Sequence, residues 1–472
     1  MKNKMFASLT LIYQGIFILL AILLRALSVF LTYYLTNIIL FKILNSEKIK
    51  NSTQNFVKFF RQDSFVLILP AVLLVCSSLH YSVKYFLTVP VKVSSFTELK
   101  ENYNFGFNNG IYPLKDDKLC FKKHNQIIVY DLKNHEVYDS FTILDFNNIF
   151  LENTVIKVRT ENRIFPLSNG NILIQQNYLP EKRKDYDYTS KTYIKIYSPK
   201  KGEISSLEIP FVSTFVSLTE LPDNKILFIG NKTNQTFIYD INNNTYYRSA
   251  DMNYERSGAS AITLNDGRVF VFSGQSYPNN CAEIYDVKKD TFERIPLNFK
   301  VHKYINTVKL SKLKDGRILI QCEKAMENEN DGIGNSHGFR TSDGNFVTVY
   351  PVPCLTIFNP QDNSFEEIDI NKNSNKIRIE YDTAVLKNGN IIIVGGGYID
   401  KNTHKKRNRM KNTKDILVYN PQKHTIKKTF RDLKYDRYGK NILTVLNDGT
   451  VLVTGNIYDI PNQNNQIEAL NF

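Results

Sequence analysis

From Leu114 onward the chain alternates short apolar runs with polar turns, and one phrase returns seven times. It reads "LKDDKLCF" at Leu114, "LSNGNILI" at Leu167, "LPDNKILF" at Leu221, "LNDGRVFVF" at Leu264, "LKDGRILI" at Leu313, "LKNGNIII" at Leu386 and "LNDGTVLV" at Leu446. Its fourth position holds Asp117, Gly170, Asn224, Gly267, Gly316, Gly389 and Gly449, so the copies are 53, 54, 43, 49, 73 and 60 residues apart. Asp-Gly and Asn-Gly suit the positive φ angles of a two-residue hairpin turn, and Asn or Asp tolerates them where Gly is missing. The pattern predicts a strand on each side of every turn. Runs such as "RVFVF" and "NIIIV" are apolar at consecutive positions, which a strand shows only when both of its faces are covered.

A second phrase follows most of the turns: "IIVYDLK" at Ile127, "IKIYSPK" at Ile194, "TFIYDIN" at Thr236, "AEIYDVK" at Ala282, "LTIFNPQ" at Leu355 and "ILVYNPQ" at Ile416. A third is a short aromatic strand, as in "NTYYRS", "DTFERI" and "NSFEEI". Each full unit therefore contains four strands. Four-stranded units that recur at about 50 residues, with covered faces, describe the stacked blades of a propeller.

The most complete unit runs from Tyr254 to Ile295, "YERSGASAITLNDGRVFVFSGQSYPNNCAEIYDVKKDTFERI". Its Arg-Ser-Gly opening at Arg256, its Asp-Gly turn and its Tyr-Asp resemble the kelch-repeat family, including propellers of the galactose-oxidase type. The resemblance covers Val93 to Phe472. It implies an all-β fold, a seven-bladed kelch-like β-propeller; the apolar runs of the first 90 residues, outside the resemblance, are expected to precede it as N-terminal transmembrane helices. Two departures stand out: Phe292 replaces the family's Trp, and the double Gly after the second strand survives only at Gly395-Gly396-Gly397. The last unit lacks an outer strand. "VSSFTELK", Val93 to Lys100, resembles "DTFERIPL" and would supply it, closing the ring between the two ends of the chain; a plain linker is the other reading.

The first 90 residues read differently. Leu9 to Leu44 is almost wholly apolar, broken by Arg25 and Lys42, and Phe65 to Leu79 begins a second run that reaches Leu87. A membrane span needs about 20 apolar residues. The second run makes one helix. The first makes one long helix, or two if it turns at Arg25, although "LLRALS" offers no turn residue. Its length argues against a cleaved signal peptide. Residues 1–90 are thus expected to be a membrane anchor of two or three helices, and residues 91–472 the propeller. Lys42, Lys48, Lys50, Lys58 and Arg61 lie between the runs. The positive-inside rule puts them in the cytoplasm and the propeller outside it, at the inner membrane.

Composition adds limits. The 472 residues include 28 Tyr and 31 Phe but no Trp, and carry a net charge of +14. The excess suits an anionic partner such as lipid head groups or acidic polysaccharide; codon usage in an AT-rich genome produces the same bias. Nucleic acid is not expected as a partner. None of the five cysteines forms a CxxC pair, which excludes a zinc ribbon or a thioredoxin-like site. No Tyr-His pair occurs in the propeller, which rules out the copper ligands of the oxidases built on it. The missing Trp rules out sialidase Asp boxes. "ENENDGIG", Glu327 to Gly334, begins like a calcium loop but has no closing Glu. No catalytic set, metal or cofactor is therefore expected. The reading that follows is a non-catalytic binding or scaffold module for a protein or glycan. The alternative is a carbohydrate-active enzyme of epimerase or lyase type on the same fold.

The candidate binding face is the edge from which the insertions Gln175 to Thr192, Glu323 to Pro353 and Tyr398 to Lys414 emerge. Inner strands begin there. Arg256 and Arg378 stand eleven residues before their turn Gly, and Arg437 one position off that register. They would ring the central mouth and meet an anion, or pair with the adjacent Glu255, Glu380 and Asp436. The insertion "KNTHKKRNRMKNTK" carries Lys405, Lys406, Arg407 and Arg409 and no acidic residue. It is either an anion-binding loop or a solvated one.

Overall fold

Each repeated Leu opens a hairpin whose closure explains the phrase after it. Leu264 N donates to Arg268 O at 2.7 Å, and Gly267 N donates to Leu264 O at 3.2 Å. The same pair of bonds recurs at Leu167, Leu313, Leu386 and Leu446. The loop therefore has three residues and ends on a left-handed Gly, a type I turn closed by a bulge, where the sequence suggests two residues. Gly170, Gly267, Gly316, Gly389 and Gly449 have φ between +86° and +98°. Where Gly is absent, two successive residues go left-handed: Asp116 and Asp117, and Asp223 and Asn224, all with φ between +53° and +62°. The residue before the Gly also has a task. Asp266 and Asp315 accept the main-chain N–H two residues on at 3.0 and 3.1 Å, and Asp448 does so at 2.8 Å. A short carboxylate or amide is needed there to hold the turn.

The computed structural model describes residues 88–95, 111–123, 126–143, 148–151, 154–180, 191–209, 217–230, 233–256, 258–272, 281–299, 308–324, 339–340, 346–347, 352–371, 376–400, 411–438, 442–454, 456–457 and 467–472. The chain divides into a unit of Met1–Pro90 and a unit of Val91–Phe472. Among the described residues no helix is long and apolar enough to cross a membrane. Residues 1–87, where the spans are expected, lie outside them.

The second unit is all-β and propeller-like. Among the described residues it contains seven sheets of four or five antiparallel strands, six of which pair their strands in chain order. The fourth sheet is representative: Ser260–Thr263, Val269–Phe272, Cys281–Asp286 and Thr291–Pro296. The fifth runs Lys309–Lys312, Ile318–Lys324, Val352–Asn359 and Ser364–Ile368. The sixth runs Asp382–Val385, Ile391–Val394, Ile416–Asn420 and Thr425–Lys428. Burial follows strand position. Every residue of Val269–Phe272 and of Ile391–Val394 is buried, as their unbroken apolar runs require. Every residue of Thr245–Arg248, a fourth strand, is exposed.

The core lies between the sheets. Leu264, Phe270 and Phe272 of the fourth sheet pack on Ile318, Ile320 and Phe358 of the fifth. Phe270 and Phe358 stack there with centroids 4.2 Å apart. Leu355 and Ile357 of the fifth pack on Ile391 and Ile393 of the sixth. Equivalent clusters join each sheet to the next in the chain. One further cluster joins Leu119 and Phe121 of the first sheet to Leu446 and Leu452 of the seventh.

The seventh sheet is completed from the other end of the unit. Lys92–Ser95 pairs antiparallel with Glu468–Asn471, Val93 opposite Leu470 and Ser94 opposite Ala469. Val91 and Val93 join the cluster of Leu443, Val451 and Leu470. The paired segment is shorter than Val93 to Lys100, whose remainder falls outside the described residues.

Candidate functional site

A four-stranded meander has two edges. The first-to-second and third-to-fourth connections share one; the second-to-third connections and the links between sheets share the other. In this chain the two edges differ in kind.

The first edge is made of tight turns whose polar groups are used internally. The Asp or Asn that ends the third strand accepts two N–H groups of the following turn. Asp131 takes those of Lys133 and Asn134 at 2.9 and 3.0 Å, and Asn420 those of Gln422 and Lys423 at 3.0 and 2.8 Å. The N–H of Asn134 in particular holds the Asp131 carboxyl below its ordinary range. Four residues after each such Asp or Asn the chain goes left-handed: His135, Asn244, Asp290, Asn363 and His424 have φ between +50° and +57°. Other side chains on this edge join neighbouring sheets. Arg268 pairs with its own turn Asp266 at 2.8 Å and donates to Pro360 O of the fifth sheet at 3.2 Å. Arg317 repeats this with Asp315 at 2.8 Å and Pro421 O of the sixth at 3.4 Å. Tyr285 donates to Asp290 at 2.6 Å, and Asp290 also accepts Ala250 N from the third sheet at 2.8 Å. A groove of about 280 Å³ between Leu313, Asp315, Asn388, Gly389, Pro421 and Gln422 is bridged by Gln422 donating to Asp315 at 3.0 Å. The phrases "DGR" and "NPQ" are thus accounted for by turns and joints.

The second edge carries the insertions. They leave from Ile172–Pro180, Ile318–Lys324 and Ile391–Val394 and return at Lys191–Ser198, Val352–Asn359 and Ile416–Asn420. The third is rooted in a small sheet of Lys376–Ile379, Gly397–Asp400 and Lys411–Asn412. Lys405, Lys406, Arg407 and Arg409 lie outside the described residues. Lys414, at the end of that insertion, lies 3.9 Å from Asp436 and donates to Lys434 O at 3.0 Å.

The three arginines stand on the links into the fourth, sixth and seventh sheets, and all three are internal. Arg256, Arg378 and Arg437 are 4%, 1% and 0% exposed. Arg256 donates through Nε and Nη2 to Glu283 Oε1 at 3.1 and 2.9 Å, while Glu283 Oε2 accepts both Asn253 N and Asn253 Nδ2 at 2.7 Å. Arg437 Nε donates to Glu468 Oε1 at 3.0 Å, and Lys434 N to Glu468 Oε2 at 2.6 Å. Burial lowers the Arg437 pKa, and Glu468 opposes that shift. These partners replace the sequence neighbours Glu255 and Asp436. A guanidinium held this way is a strut between a link and a third strand; it is not presented to an external anion.

Arg378 departs from the pattern for a readable reason. Glu283 stands two residues before Tyr285, and Glu468 two before Leu470. The matching position of the sixth sheet, two before Tyr419, is Leu417. Without a carboxylate, Arg378 donates through Nε and Nη2 to Gly395 O at 3.0 and 2.8 Å, and through Nη2 to Asp415 O at 2.7 Å. Among the described residues its Nη1 has no hydrogen-bond partner, and burial lowers its pKa. The glycines kept at this point make the approach possible. Gly395 and Gly396 have φ of +79° and +76°, and a Cβ on Gly396 would collide with Ile379 O.

Glu283 and Glu468 were not singled out from the sequence. The available signal was an acidic residue in the otherwise apolar strands "AEIYD" and "IEALN". A second unforeseen centre is Asp382, which is fully buried. It accepts Lys309 Nζ of the fifth sheet at 2.8 Å and Leu443 N of the seventh at 3.0 Å, tying three inner strands together. Among the described residues no group of three or more His, Cys, Asp or Glu is placed to hold a metal ion.

No family model matches the chain, and no curated protein matches it. Solved structures to which the chain is similar include two enzymes. One is a fungal alcohol oxidase of the AA5 family in complex with copper, 16% identical, covering 67% of this chain and 76% of that one, with a TM-score of 0.34. The other is a catalytically inactive virginiamycin B lyase from Staphylococcus aureus with quinupristin, 11% identical, covering 81% and 99%, with a TM-score of 0.45.

Proposed function

We propose that this chain is a membrane-anchored, seven-bladed kelch-like propeller that acts as a non-catalytic binding or scaffold module for a protein or glycan outside the cytoplasm. The contrast between the two edges carries the reading. On the tight-turn edge the recurring Asp, Asn, Arg and Tyr side chains are spent on turns and inter-sheet joints. The insertions leave from the other edge, which is where a repeat array places its contacts. Arg378, buried and bonded to Gly395 O and Asp415 O, supplies a rigid root for the insertion of the sixth sheet. The cluster joining the first and seventh sheets supports a closed ring. The charge of the loop between the two apolar runs supports the orientation.

The insertion with Lys405, Lys406, Arg407 and Arg409 gives this module a cationic surface for an anionic ligand. Each basic residue near an anionic surface contributes about 1 kcal/mol, screened over a Debye length of roughly 8 Å at physiological salt. The full chain in neutral-lipid nanodiscs is expected to bind heparin and anionic phospholipid vesicles, more weakly as salt rises. Changing those four residues to Ser should remove most of that binding and leave the melting temperature unchanged. Equal binding by the variant would show a solvated insertion. The orientation has its own check: a reporter fused after Phe472 should be active only if it functions outside the cytoplasm, and activity of a cytoplasm-only reporter would overturn it.

A further inference from the structure

We infer that Cys322 and Cys354 are a redox pair that closes into a disulfide at the root of the fifth sheet's insertion. The two residues are direct partners across the second and third strands of that sheet. Antiparallel partners have Cα atoms about 4.5 or 5.5 Å apart, according to their place in the ladder, and both spacings fall within the roughly 4.4–6.8 Å that a disulfide spans. The two side chains share one face, in the cluster packed on Phe270 and Phe272 of the fourth sheet. Both are reduced thiols, each 2% exposed. Cys354 Sγ lies 3.1 Å from Thr356 Oγ1, so its surroundings are not wholly apolar. Two thiols already in register need little backbone movement to join.

Their place in the chain gives the bond a consequence. The two strands diverge two residues beyond the pair, after Lys324 and before Val352, into the longest of the insertions. A bond there would pin both roots of the insertion and enclose the 31 residues between the cysteines. Cys120, also buried and reduced, sits in the first sheet, within a different cluster.

The oxidant is a small or protein disulfide, such as oxidised glutathione or a dithiol oxidase. One cysteine, as thiolate, attacks the donor disulfide; a mixed disulfide forms and one donor thiolate leaves. The second cysteine gives up its proton, attacks the first sulfur, and the second donor thiolate leaves. Two electrons and two protons pass to the donor, which becomes a dithiol. Because both thiols are buried, exchange takes place in the folding chain or when the strand ends at Lys324 and Val352 open.

The test uses the full wild-type chain in detergent, equilibrated with oxidised or reduced glutathione, acid-quenched, then alkylated while unfolded and mapped by mass spectrometry. Oxidation should yield one peptide pair linked through Cys322 and Cys354, with Cys120 alkylated, and raise the melting temperature by about 5 °C. Cys322→Ser should lose both the link and the shift. Recovery of Cys322 and Cys354 as separate alkylated peptides after oxidation, or linkage of either to another cysteine, overturns the inference. The map of the wild-type chain decides this even where the variant fails to fold.

Discussion

Replacing Arg437 by Met is expected to cost about 3–5 kcal/mol of folding stability, because it leaves the Glu468 carboxylate buried without its cation. Arg437 is fully buried, and Glu468 is 1% exposed. Of the two hydrogen bonds that Glu468 accepts among the described residues, the one from the Lys434 N–H remains. Its carboxylate must then stay charged in a low dielectric or take up a proton. The double variant Arg437→Met/Glu468→Met should recover most of the loss, since an apolar pair of similar volume removes both charges together. Arg256→Met should behave like Arg437→Met, because Glu283 is left in the same state. Arg378→Met should cost distinctly less: it strands two carbonyls and no carboxylate. Thermal unfolding of the four proteins ranks them. Equal losses for Arg378→Met and Arg437→Met would show that side-chain volume, and not the orphaned charge, sets the cost.

The repeat made much of this fold legible. A turn of positive-φ residues in front of an unbroken apolar run places first and second strands, and the Tyr-Asp or Asn-Pro ending places the third. These signals are local, and chain chemistry fixes them. The loops hold three residues where the sequence suggests two, because Asx-Gly closes both the two-residue hairpin and the three-residue bulged one. The arginine contacts were not legible for a different reason. Arg256 and Glu283 are 27 residues apart in the chain, and Arg437 and Glu468 are 31 apart. Strand register brings them together, and the adjacent Glu255 and Asp436 are closer in sequence only. Asp382 has the same origin, with one partner 73 residues before it and another 61 after it.

Joining the two ends of the second unit should matter as much as the arginine struts. Val91 is 7% exposed, and Val93 packs in the same cluster. Val91→Asp/Val93→Asp removes two apolar contacts from the core and puts carboxylates in their place. The expected loss is about 3 kcal/mol or more, taking about 1.5 kcal/mol or more for each valine before the cost of the charge. Without this strand, Glu468–Asn471 becomes an open edge, so the variant should also aggregate more readily. Hydrogen exchange at Glu468 to Asn471 should speed up, while exchange at Val269 to Phe272, in the fourth sheet, stays slow. Wild-type stability and unchanged exchange at Glu468 to Asn471 would mean that the strand is dispensable.

A single cross-link tests most directly whether the Val91–Phe472 unit closes by pairing Lys92–Ser95 with Glu468–Asn471. Ser94 and Ala469 are opposite one another in the register. With Ser94→Cys and Ala469→Cys combined in the full chain, mild oxidation should give one new linked peptide pair, position 94 to position 469, with the native cysteines in the same state as in the equally oxidised wild-type chain. The linked protein should melt higher than its reduced form. If the cysteine at 94 is instead recovered alkylated, or linked to any position other than 469, the ring is not closed by this strand and the account fails.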